Sequence, residues 1–188
     1  MPVALPILDQ PLPYVARLER RPLSAIDLVV IHCTELPDMR TAREFGERIR
    51  YDKSQTGNSG HYYIDTDGTI YRYVPDDRVA NHTFGYNPRS IGIELSNIGR
   101  YPHWGDSHYQ NWTVAYTKAQ IDALLSLLRQ LRNELPNLKY VAGHEDLDTR
   151  LEPASDDPGI LLRRRQDPGP LFPWKQVVPA GGLIRLIP

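Results

Sequence analysis

Cysteine is nearly absent from this chain: Cys33 is the only one among 188 residues. No internal disulfide is available, so the fold must rest on its core and is indifferent to redox compartment. An excess of one charge is lacking too, since 22 Lys and Arg against 23 Asp and Glu leave a formal net charge of -1. Without a basic surplus there is no electrostatic case for nucleic acid or an anionic membrane as partner. No stretch approaches the roughly 18 apolar residues of a membrane span. Met1 to Pro11 carries neither a basic n-region nor a long apolar run. It does not read as a signal peptide, and the expected location is cytoplasmic. Repeats, linkers and a second domain are also missing.

What is present suits one sizeable domain. The 40% hydrophobic and 24% charged content is ordinary for a globular protein, and the length can bury a real core. Residues 1–24 are Pro-punctuated and aperiodic, and are expected to be an extended N-terminal arm over the surface. Residues 25–188 are expected to be the functional domain. Within it, Asp27 to Cys33 is a short apolar run, β-branched at its centre, as in a strand buried on both faces. Thr41-Ala42-Arg43-Glu44 reads as a capping box opening a helix to about Lys53, with Phe45 and Ile49 on one face. Tyr62 to Val74 reads as two strands around an Asp67-Gly68 turn. Ser90 to Leu95 is a further strand with an acid inside it. Thr117 caps the clearest helix: Ile121, Leu124, Leu125, Leu128, Leu131 and Leu135 recur at helical spacing until Pro136. Leu138 to Ala142 is the last expected strand, and the tail is read as loop, turn and a short terminal segment. The fold class that follows is α/β: a single domain with a mixed central sheet flanked by helices, its site at one end of the strands.

Three polar residues stand out against this framework. His32 ends one buried strand and His144 follows another, where α/β proteins place their sites. Asp167 precedes Pro168, Gly169 and Pro170, a stiff turn that leaves a carboxylate little freedom. A lone His at a strand end is more often a hydrogen-bonded rim residue than a ligand. Two of them with an aimed Asp form a three-ligand zinc set that leaves a fourth tetrahedral position open. Glu94 is costly to bury inside Ile91-Gly92-Ile93-Glu94-Leu95 unless its charge is used, as by a general base beside a metal-bound water. Alternation alone also permits a Glu on the exposed face of a half-buried strand. Arg163-Arg164-Arg165 reads as site or surface rather than a nucleic-acid patch. His103 and His108 lie in a long aromatic segment, residues 97–116, and read as solvent-facing rather than as a second metal site. Its Tyr and Trp could stack on a ligand or pin the loop.

Five motifs occur in order: Val29 to Glu35, Gly60 to Tyr71, Arg89 to Leu95, Ala142 to Leu147, and Arg165 to Trp174. Together they resemble the zinc-dependent N-acetylmuramoyl-L-alanine amidases of the type 2 family, over about Asp27 to Trp174. The resemblance implies Zn2+ on His32, His144 and Asp167, with Glu94 as the catalytic carboxylate. The family has Asp at the third ligand in its recycling branch and Cys in its phage and recognition branches. The phage branch has a Tyr where this chain has Gly60, so Glu94 carries the base role alone. The family's oxyanion-stabilising Lys falls on Arg165, which keeps the charge but cannot hand over a proton. His61, Asn81 and His82 fall near the family's substrate groove and are expected substrate contacts, against a structural hydrogen-bonding role. The segment Asp148 to Arg164 is longer than in the compact recycling enzymes, which bears on substrate choice.

The implied activity is hydrolysis of the amide between the lactyl group of N-acetylmuramic acid and L-alanine, in peptidoglycan or muropeptides, by a monomer. The alternatives are a non-catalytic peptidoglycan-binding module and a metallohydrolase of another amide.

Overall fold

The structure, a computed structural model, describes residues 6–188. Its centre is a seven-stranded sheet. In chain order the strands are β1 (Ile7–Asp9), β2 (Leu28–Cys33), β3 (Tyr62–Ile64), β4 (Ile70–Arg72), β5 (Ser90–Leu95), β6 (Tyr140–Gly143) and, near the end of the chain, β9 (Ile184–Arg185). The spatial order is β1-β4-β3-β5-β2-β6-β9. Only β3 and β4 run antiparallel, as the Asp67-Gly68 turn requires; every other pairing is parallel. Gly68 has φ +88, and a Cβ there would come within 2.9 Å of Ala119 O, so glycine is needed twice over. The α/β architecture read from the sequence is therefore present, with β2 and β5 at its centre.

Period-two alternation divides the two central strands into unlike faces. Val29 and Ile31 of β2, with Ile91, Ile93 and Leu95 of β5, join the main core. Helix α2 (Lys118–Glu134) lies against that core through Leu124, Leu128 and Leu131, all fully buried. Thr117 Oγ1 accepts from Gln120 N, and Gln120 Oε1 accepts from Thr117 N, which makes the expected capping box. The opposite residues are Leu28, Val30 and His32 in one strand and Ser90, Gly92 and Glu94 in the other. This face carries the candidate site, and register pairs His32 directly with Glu94.

Three readings need correcting. Helix α1 (Met39–Glu47) starts before Thr41: Asp38 is its cap, accepting from Thr41 N at 2.7 Å. It stops at Glu47 rather than near Lys53, because Arg50 and Tyr51 donate their amides to Thr56 O instead of continuing the helix; Ile49 is left exposed. The tail is not only loop and turn. It folds into α4 (Trp174–Gly181), which packs Val177 into the core, and into β9 beside β6. Residues 1–5 of the expected arm lie outside the described residues; from residue 6 the N-terminal segment does more than run over the surface. Its β1 extends the sheet, while Leu12, Tyr14 and Leu18 build a second core with Leu36, Ala42, Tyr63 and Tyr73.

Two more elements border the site. Helix α3 (His144–Leu147) follows β6 without a break. The long segment before Arg165 is a two-stranded hairpin, β7 (Leu151–Pro153) with β8 (Leu161–Arg163). Its base is fastened by Asp148, which accepts from Arg150 and Arg164. Among the described residues no helix is long and apolar enough to cross a membrane.

Candidate active site

His32, His144 and Asp167 meet at the carboxyl ends of β2 and β6. All three are buried, and one ligand atom from each lies within 4.8 Å of the others. His32 Nδ1 is 2.9 Å from Asp167 Oδ2, and His144 Nδ1 is 3.2 Å from the same oxygen. A tetrahedral ion with bonds of about 2.0–2.1 Å separates its ligand atoms by about 3.3 Å, so the spacing suits one. A second observation agrees: Asp167 Oδ1 is buried and has no hydrogen-bond partner among the described residues. Leaving such an oxygen bare is expensive unless a cation uses it. Burial pushes the His32 imidazole down to about 4, so it is neutral and able to ligate. Burial alone would raise the Asp167 carboxyl, but its close contacts with the His144 and His32 imidazoles outweigh that and hold it well below the usual carboxylate range.

The supports of each ligand are specific. Behind His32, its Nε2 is 3.0 Å from His82 Nδ1 and 3.3 Å from Thr83 Oγ1. An Nε2–H donated there leaves the Nδ1 lone pair facing Asp167. Asn87 Oδ1 accepts from the backbone amides of both His82 and Thr83 and fixes their turn. Asp167 is tied to the other ligand segment by Glu145 N, which donates to Asp167 O at 2.9 Å. Pro168 then packs on Gly143, where a Cβ would come within 2.9 Å of its Cδ.

Glu94 lies in the wall of an open cavity of about 740 Å³ that also contains His32, His144 and Asp167. Burial, with the Asp167 charge added, raises its carboxyl to about 8, while Arg165 opposes the rise. A carboxyl raised in this way is of the kind that general acid–base catalysis uses. Gly60 makes room for it: a Cβ there would lie 3.1 Å from Glu94 Cγ. Arg165 is in the same wall, and its buried Nε has no partner among the described residues.

The expected substrate contacts divide. Asn81 and His82 line the cavity. His61 does not. Its Nδ1 accepts from Gly92 N and its Nε2 faces Arg78 O and Arg21, with the ring fully buried. Burial lowers it to about 3, and it serves the sheet, so the substrate-contact expectation for His61 is corrected. His103 and His108 form no metal group among the described residues; the His108 side chain is 81% exposed beside Asp156. The sequence reading missed Thr83, Tyr63 and Phe84, all in the cavity wall. Phe84 is 88% exposed there. A phenylalanine between Thr83 and Gly85 in a turn was the available signal, because a turn has no core to receive it. The hairpin adds Glu152, Leu162 and Arg163 to the same wall.

Fold and cavity together define a class: a mixed-sheet α/β protein with a buried His–His–Asp group of metal-ligating type where its central strands end. Solved amidases share this fold. The N-acetylmuramoyl-L-alanine amidase LysC from Clostridium intestinale superposes with a TM-score of 0.67, covering 95% of this chain and 98% of its own at 22% identity. AmiD from E. coli, solved with the substrate anhydro-N-acetylmuramic acid-L-Ala-D-gamma-Glu-L-Lys, superposes at 0.64 over 85% of this chain and 58% of its own, at 26% identity.

The chain belongs to the N-acetylmuramoyl-L-alanine amidase family, whose profile matches residues 22–170. Its relatives include the 1,6-anhydro-N-acetylmuramyl-L-alanine amidase AmpD of Escherichia coli, 34% identical over 125 residues, or 62% of this chain and 54% of AmpD. AmiD of the same organism is 32% identical over 122 residues, or 60% of this chain and 38% of AmiD. The alignments thus span about half the length of these curated relatives or less.

Proposed function

We propose that this protein hydrolyses the amide between the lactyl group of N-acetylmuramic acid and L-alanine, using zinc held by His32, His144 and Asp167. The observation that carries the reading is the buried meeting of two imidazole nitrogens at Asp167 Oδ2, with Asp167 Oδ1 unpartnered among the described residues, in the same cavity as Glu94. Bound zinc supplies a Lewis acid and a water acidic enough to attack at neutral pH. Glu94 takes the proton of the attacking water and returns it to the leaving amine of L-alanine. Arg165 donates hydrogen bonds to the carbonyl oxygen as its charge develops. His82 and Thr83 keep the His32 ring in one tautomer. Asn81 and His82 contact the substrate along the groove. Residues 25–188 are the catalytic unit, with the N-terminal segment packed against it, and the protein acts as a cytoplasmic monomer.

The test is mass spectrometry of digested peptidoglycan and of a soluble anhydro-muropeptide. The reading requires free stem peptides that begin at L-alanine, and their loss in His144→Ala. Full cleavage by His144→Ala would sink the zinc-enzyme reading, and intact stems from the native protein would favour a binding module. Preference for fragments over sacculi assigns the enzyme to recycling; the reverse assigns a lytic role. Sedimentation and cell fractionation test the monomer and its location.

A further inference from the structure

Residues 97–116, between β5 and α2, take no part in the chemistry above, yet Asn97 and Arg100 are buried and Gln110 is half-buried. At the start of the segment, Asn97 exchanges hydrogen bonds with Thr34, its backbone N donating to Thr34 Oγ1 and its backbone O accepting from that hydroxyl, both at 3.2 Å. Arg100 is buried and donates through Nε and Nη2 to the two oxygens of Glu35, each at 2.7 Å. Glu35 stands three residues after His32 and has a left-handed φ of +46. Such a backbone is held only when its surroundings over-determine it. Gly99 makes the approach possible, since a Cβ there would lie 2.7 Å from Glu35 Cγ.

From Arg100 the contacts continue to the other end of the site. Arg100 Nη1 donates to Gln110 Oε1 at 3.1 Å, and that oxygen also accepts from Gln166 Nε2 at 2.8 Å. Gln166 immediately precedes Asp167. Beyond it, the Trp112 ring lies on Gly169, where a Cβ would come within 2.6 Å, and Tyr116 OH donates to Pro168 O at 2.7 Å. An unbroken hydrogen-bonded path, Glu35–Arg100–Gln110–Gln166, therefore links the end of the His32 strand to the Asp167 turn. The bond from Glu145 N holds that turn to the His144 side alone.

We propose that residues 97–116 are a brace that sets the distance between the His32 strand and the Asp167 turn, with Gln166 and Tyr116 as positioning residues for Asp167. The inference rests on the metal reading of His32, His144 and Asp167. A carboxylate on a turn that has lost these hydrogen bonds is held less firmly on the His32 side, and a ligand displaced by a fraction of an ångström binds less well. Partners behind metal ligands are typically worth 10- to 100-fold in affinity.

The experiment is Co2+ titration of the metal-stripped full-length protein, followed by its visible absorption, alongside thermal melting without metal. Gln166→Leu with Tyr116→Phe is expected to lose roughly 10- to 100-fold in Co2+ affinity, with a weakened tetrahedral band. The metal-free variant should melt within a few degrees of native. His108→Ala, on the exposed side of the same segment, is expected to bind as the native protein does. The brace is overturned if the double variant keeps native affinity, or loses affinity only as far as its metal-free form unfolds. Native protein that takes up no Co2+ would instead remove the metal reading itself.

Discussion

Glu94 and Arg165 share one cavity wall but carry separable roles. Replacing Glu94 by Gln keeps shape and removes the proton carrier. Turnover of muropeptide is expected to fall about 10²–10⁴-fold with zinc content unchanged, read by metal analysis beside the rate. Arg165 acts through charge and hydrogen bonding, so Arg165→Ala is expected to lose about 10²–10³-fold in kcat with little change in KM. Arg165→Lys should retain most of it, and a Lys variant as poor as the Ala variant would rule out the electrostatic role. At this scale the sequence was informative where a residue type is expensive in its setting. Two histidines at strand ends, an acid inside an apolar strand and an aspartate before Pro168 are each costly without a use, and each stands in or beside the cavity. His61 was expected at the groove only from the family resemblance; the backbone partners that satisfy its ring lie 17 and 31 residues away, where no local pattern shows them.

Among the elements, the periodic ones were legible and the aperiodic ones were not. The apolar repeat of α2 and the alternation of β5 report burial directly, and both elements fall where the pattern puts them. Leu128→Ala, in the middle of that repeat and fully buried, is expected to cost about 2–5 kcal/mol, measured by urea unfolding. The ends of helix α1 were misplaced because Asp38 and Thr41 both look like caps, and only the path of the chain chooses between them. The β7–β8 hairpin gives no pattern at all: Leu151 and Leu161 are exposed, so its strands have no buried face to betray them.

The hairpin is held at its base instead, and that hold is titratable. Hydrogen bonds from Arg150, with Arg164 adding its own, keep the Asp148 carboxyl well below the usual carboxylate range. A depressed carboxyl stabilises the fold above its unfolded value of about 4 and loses that contribution as pH falls below it. The protection of amides over Leu161–Arg163, taken against the intrinsic exchange rate at each pH, should therefore fall in acid in the native protein. In Asp148→Asn that protection should already be low at pH 7 and change little with pH.

For the molecule as a whole, the site joins segments that nothing local connects. β2, β5, β6, the Asp167 turn and the 97–116 segment meet only because the parallel sheet brings the carboxyl ends of its strands together. Chelation should therefore loosen the whole domain and not one loop. A metal present at about 1,000 times its dissociation constant adds about 4 kcal/mol to stability. Melting is expected to shift down by several degrees in EDTA and to recover with added Zn2+. A melting point indifferent to both would show that the three ligands hold no ion in the native state.

The sequence by itself determined the sheet's central strands, the long helix, and the donor set, because hydrophobic periodicity and the cost of burying polar groups are local properties of residue type. Tertiary structure alone decided three further matters. It joined the N-terminal segment to the core, added a helix and an edge strand from the tail, and tied the aromatic segment to the Asp167 turn. Each of these depends on contacts between residues far apart in the chain, and no window of sequence contains both partners.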